Sequence, residues 1–98
     1  MSGAAEAAIG TVKRTLAIAN KRGLHARAAA KFVRMAGQFD AAIRVSFNGQ
    51  EVSGLSIMGL MMLAAGIGSS IELSCSGRQA AEAMAALSTL VESKFGED

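Results

Sequence analysis

Three short stretches of this chain place apolar residues at every second position, and two longer stretches place them on a helical period. Leu16 and Ile18 within residues 14–20, then Ile43, Val45 and Phe47, then Ile71, Leu73 and Cys75 each alternate with polar or small neighbours. A period of two makes a strand with one buried face. Ala29, Phe32, Val33 and Ala36 recur at i, i+3, i+4, i+7, the stripe of one helical face, within residues 26–37. Ala80, Met84, Leu87 and Val91 line a closing helix that runs to about Lys94. Asn48-Gly49 is a tight hairpin turn, because both residues accept positive φ, and it predicts a return strand over residues 50–53. Ser56 is the expected N-cap of a brief helix through Leu63. Gly37 is expected to stop the first helix, and Gly66 and Gly68 the second. The order is β-α-β-β-α-β-α. Strands that alternate leave one sheet face wet, so every helix must cover the other. The expected class is a two-layer α/β (α+β) sandwich.

Ninety-eight residues suffice for one core without disulfides or metal. Residues 1–11 read as an N-terminal extension and residues 12–98 as the domain. About half of the chain is apolar, yet its only aromatics are four phenylalanines, so the core must be largely aliphatic. The single cysteine, Cys75, has no internal disulfide partner, which fits a reducing compartment. With one cysteine and one histidine, a zinc site lacks soft ligands, and no cofactor or metal is expected. Residues 1–10 lack the basic start and apolar stretch of a signal peptide. The longest apolar run, residues 57–67, holds two glycines and is too short to cross a bilayer. A cytoplasmic protein with no membrane partner is the expectation.

Net charge is only +2, but seven of the ten bases (Lys13, Arg14, Lys21, Arg22, Arg27, Lys31 and Arg34) fall where no acid intervenes between Ala7 and Phe39. A one-sided basic face attracts acidic partners or phosphate. These bases surround Gly23-Leu24-His25-Ala26-Arg27, which holds the sole histidine immediately before the first helical run. A helix mouth presents unpaired N–H groups that favour an anion. A guanidinium two residues on offers a planar fork of donors to the same anion. A neutral imidazole nitrogen supplies the nucleophile. A phosphoryl group carried there would bring roughly −1.5 to −2 charges, which the helix end and Arg27 attract. Near His25 in sequence there is no metal ligand and no orienting carboxylate, so a hydrolase triad is not indicated.

Gly23-Leu24-His25-Ala26-Arg27 followed by a helix resembles the active-site signature of the histidine-containing phosphocarrier (HPr) family of the bacterial phosphoenolpyruvate phosphotransferase system. The resemblance runs from about Thr15 to the C-terminus and takes in Phe39, Asn48-Gly49 and Ser56-Ile57. Ile18-Ala19-Asn20-Lys21, Leu60-Met61-Met62-Leu63 and Phe95-Gly96-Glu97-Asp98 are closer to its nitrogen-related branch. The resemblance implies an open-faced β-sandwich of four antiparallel strands with three helices on one side. It implies that His25 takes phosphate from enzyme I on Nδ1 and passes it to an enzyme IIA domain, with Arg27 binding the phosphate. It makes Ser56 a second, regulatory phosphorylation position where an HPr kinase/phosphorylase exists. Capping the short helix is the competing role of Ser56.

The same resemblance makes the first two helices the docking face. Ala26, Ile57, Met58 and Met61 would then meet partners, with Lys31 and Arg34 as a positive rim. Met62 and Leu63 are expected in the core. The family usually has proline after the arginine, and this chain has Ala28, the best helix former. Leu55 likewise stands where lysine is common in the sugar-transport branch. The protein would be a monomeric carrier of a covalent phosphohistidine rather than a stand-alone turnover enzyme. Two other classes compete: a small basic nucleic-acid-binding domain and an adaptor that works unphosphorylated through its methionines. The first is weakened by the absence of Tyr and Trp for base stacking, and no nucleic-acid partner is expected.

Overall fold

Apolar alternation and helical stripes follow one another along the chain, and the elements take the same order. A computed structural model describes residues 11–97. Its elements are β1 (Thr11–Ala17), α1 (Ala26–Ala36), β2 (Ala42–Phe47), β3 (Gln50–Ser53), α2 (Ile57–Met62), β4 (Ser70–Ser76), α3 (Ala80–Glu92) and a 3-10 turn (Lys94–Gly96). The sheet runs β1-β4-β2-β3 with every neighbour antiparallel. Its register stacks inward residues across strands: Leu16 opposite Ile71, Val45 opposite Leu73, and Cys75 between Val12 and Ile43. Lys13, Thr15, Arg44 and Glu72 point the other way and are exposed. Phe32 of α1, Leu60 of α2, and Leu87 and Val91 of α3 join the sheet residues in one core. Full burial of such a side chain contributes about 1.5–3 kcal/mol, which is what holds the helical layer down. At the hairpin, Asn48 (φ 53°) and Gly49 (φ 82°) both take the left-handed conformation that a two-residue turn needs.

The differences from expectation lie at element ends and on α2. Strand β1 begins earlier than residue 14, because Val12 finds Cys75 opposite it. It leaves the ladder after Ala17, although Ile18 still donates to the Ser69 carbonyl (2.8 Å) and accepts from the Gly68 N–H (2.8 Å). Residues 1–10 of the expected extension lie outside the described residues, while Thr11 pairs with Ser76. Gly37 does not use its left-handed freedom: its φ is −68°. The first helix instead tightens into i→i+3 bonds, Gln38 N–H to Met35 O and Phe39 N–H to Ala36 O. The second helix stops before Gly66, where Ala64 turns left-handed at φ 57°.

Met62, expected in the core, is 71 % exposed. Leu60 and Leu63 face inward, and Met62 lies about 200° round the helix from Leu60, on the far side. Finally, α3 ends at Glu92, and left-handed Lys94 and Phe95 fold the following tail back.

Candidate functional site

Between β1 and α1 the chain makes a close approach that only glycine permits. Gly23 has φ +62°, and a Cβ there would stand 2.4 Å from the Ala65 carbonyl oxygen and 2.7 Å from the Gly66 Cα. The next residue, buried Leu24, donates its N–H to the same Ala65 carbonyl at 3.0 Å. This clamp delivers His25 as the N-cap of α1, in extended conformation (φ −73°, ψ 177°). The His25 carbonyl accepts the first helical bond, from Ala29 N–H at 2.8 Å, but its ring does not cap the helix. The first-turn N–H groups therefore have no acceptor within the helix.

The ring is turned towards a residue that sequence reasoning missed. His25 Nε2 lies 2.5 Å from Oε2 of Glu97, with the two side chains 15 % and 11 % exposed. The other Glu97 oxygen, Oε1, accepts from Asn20 Nδ2 at 3.2 Å, and the same amide nitrogen donates to the Gly23 carbonyl at 2.8 Å. Asn20 is fully buried, and its Oδ1 has no partner among the described residues. Phe95, fully buried, anchors the tail that carries Glu97, and Lys31 Nζ donates to the Phe95 carbonyl at 2.7 Å. An orienting carboxylate was not expected beside His25, because none is near in sequence. Glu97 arrives from 72 positions away. The one local signal for it is a lone phenylalanine followed by glycine just past a helix end, the mark of a tail that is tied down.

The other expected residues are placed as follows. Ala26 and Arg27 open α1 and are exposed, and the Arg27 guanidinium makes no hydrogen bond or ion pair with any described residue. Arg34 is exposed in the last turn of α1, whereas Lys31 is half-buried and tied to the tail. Ser56 caps α2, its Oγ accepting from Gly59 N–H at 2.9 Å. Ile57, Met58 and Met61 are exposed, as are Leu55, Met62 and Ile67 beside them. Helix α2 packs against α1, so this apolar surface adjoins the helix that starts at His25.

The family model described as "PTS HPr component phosphorylation site" matches residues 12–93. The phosphocarrier protein HPr of Cupriavidus necator is 50 % identical over 86 residues, covering 88 % of this chain and 97 % of that protein. The phosphocarrier protein NPr of Shewanella violacea is 42 % identical, covering 88 % of this chain and 94 % of that protein. Among solved structures, an HPr from Thermoanaerobacter tengcongensis superposes with a TM-score of 0.85 at 45 % identity, covering 89 % of this chain and 98 % of that one. Fold, motif and relatives agree, and the chain belongs to the HPr family, the phosphocarrier proteins of the phosphotransferase system.

Proposed function

We propose that His25 accepts a phosphoryl group from enzyme I on Nδ1 and hands it to an enzyme IIA domain. One observation carries this reading: the sole histidine sits partly exposed at the mouth of α1, two residues before an arginine that no described residue engages. The Nδ1 lone pair attacks phosphorus, the donor's bond to phosphorus breaks, and that bond's electrons leave with the donor. The second transfer repeats the step with His25 as leaving group. The loaded ring gains about 0.3–2 kcal/mol from the helix end, and Arg27 can reach the phosphoryl oxygens as a forked donor. Stabilisation of that size holds the group without trapping it, as a shuttle requires.

Incubation with phosphoenolpyruvate and enzyme I should add the mass of one phosphate, labile in acid and stable in base. Equal labelling of His25→Ala would overturn the assignment.

Within this role, Ala26, Arg34, Ile57, Met58 and Met61 would form the docking face, with Lys31 at its rim, its ammonium held on the Phe95 carbonyl of the tail. Exposed thioethers suit a surface that binds several partners briefly. For the acceptor, we infer a nitrogen-related enzyme IIA. The supporting features are Ile18-Ala19-Asn20-Lys21, Leu60-Met61-Met62-Leu63 and the Phe95-Gly96-Glu97-Asp98 tail, together with the likeness to the Shewanella violacea NPr. Phosphorylated protein should pass its label faster to a nitrogen-related IIA domain than to a sugar-specific one. Equal or reversed rates would exclude that branch.

Ser56 is proposed as the regulatory position for an HPr kinase/phosphorylase. Its Oγ already accepts a backbone N–H, and a phosphate there can accept in its place while adding negative charge to the docking face. Ser56→Asp should slow phosphorylation of His25, and unchanged kinetics would leave Ser56 only its capping role.

A further inference from the structure

A histidine that must present a lone pair on one ring nitrogen has two neutral tautomers, and only one of them is useful. An ionised carboxylate can only accept hydrogen bonds. With Glu97 Oε2 placed 2.5 Å from Nε2, the neutral ring keeps its proton on Nε2 and its lone pair on Nδ1. Nothing about this contact is loose. Asn20 holds the second carboxylate oxygen, and Asn20 is itself fixed by the Gly23 carbonyl within the loop that delivers His25. From the other side, buried Phe95 and the Lys31 clasp on its carbonyl fix the tail about one and a half helical turns from the ring's own helix start.

We propose that Glu97 is a positioning residue for phosphoryl transfer, its carboxylate setting the tautomer and orientation of His25 so that Nδ1 is the nucleophile. The inference rests on the phosphocarrier role of His25 proposed above. No proton needs to leave the site during transfer. The Nε2 proton stays in its hydrogen bond to Glu97 while Nδ1 gains and later loses phosphorus. Asn20 supports the arrangement at one remove, since its amide donor orients the carboxylate rather than the ring.

The test reads the tautomer and the rate separately. In unphosphorylated protein at about pH 9, where a histidine ring is ordinarily neutral, nitrogen-15 NMR of the His25 ring distinguishes an Nε2 proton from an Nδ1 proton. Wild type should show the Nε2–H form alone. Glu97→Gln, whose amide can donate as well as accept, should show a mixture. Its rate of phosphorylation by enzyme I should fall roughly 10- to 100-fold, as when the group orienting a metal-bound histidine is removed, with KM for the donor unchanged. Glu97→Asp, which keeps the carboxylate, should recover part of both signals. The double variant Glu97→Gln/Asp98→Asn removes any substitute from the adjacent acid and should not be milder than Glu97→Gln.

A Glu97→Gln protein with the wild-type tautomer, or with the wild-type rate, would overturn the positioning role. A wild type that takes no phosphate at all would overturn the carrier reading itself, and the His25→Ala control separates the two failures.

Discussion

Helices α1 and α2 pack side by side, but their first turns are finished in opposite ways. Ser56 bends back onto its own helix and satisfies Gly59 N–H, while His25, in the equivalent position, turns its ring away to a distant carboxylate. Gly59 helps, since a Cβ there would sit 3.0 Å from the serine oxygen. The capped start is locally complete and stabilises the fold. The uncapped start keeps its polar potential for something that arrives from outside. Helix α3 also starts without a side-chain cap, at Gln79, so the open end of α1 is set apart by the histidine and arginine that stand at it.

That contrast can be broken experimentally. His25→Ala should abolish phosphorylation entirely, whereas Ser56→Ala should leave labelling of His25 intact; mass measurement after incubation with enzyme I reads both. Phe95→Ala should cost about 3–5 kcal/mol by denaturant unfolding, because it empties a core site as well as releasing the tail. If its unfolding midpoint matched wild type, the tail would not be anchored as described.

Arg27→Ala should slow phosphorylation roughly 10- to 100-fold, the worth of a hydrogen bond to a charged group, with no change in melting temperature. Gly23→Ala should destabilise by about 1–3 kcal/mol for the left-handed backbone alone, with the Ala65 contact adding to it. It should also shift the amide resonances at the start of α1 and leave those of α2 in place. Ser56→Ala should lose about 0.5–2 kcal/mol, the ordinary value of an N-cap, measured by thermal melting.

The strands and the two long helices were legible because their patterns are long enough to define a face. Ile71, Leu73 and Cys75 can alternate only one way into a core, and Ala80, Met84, Leu87 and Val91 fill one stripe. The placement of His25 and Arg27 was legible too, since they belong to one short motif at a helix start. Glu97 was not, because contact order hides it: the tail reaches His25 only after α3 has packed along the sheet and ended in a turn with two left-handed residues. Met62 was misplaced for a different reason. A six-residue helix with one fully buried residue offers too little period to fix which side is inside. Lys31 likewise read as a surface charge, since nothing in its own helix announces a carbonyl waiting on the tail.

The uncovered side of the sheet offers a practical handle. Lys13, Thr15, Arg44 and Glu72 project from it, away from the helical layer that carries His25 and the α2 methionines. A fluorophore or surface tether attached there should let the molecule meet its partners unhindered, so that encounter and handover can be timed on immobilised protein without touching the parts proposed to perform them.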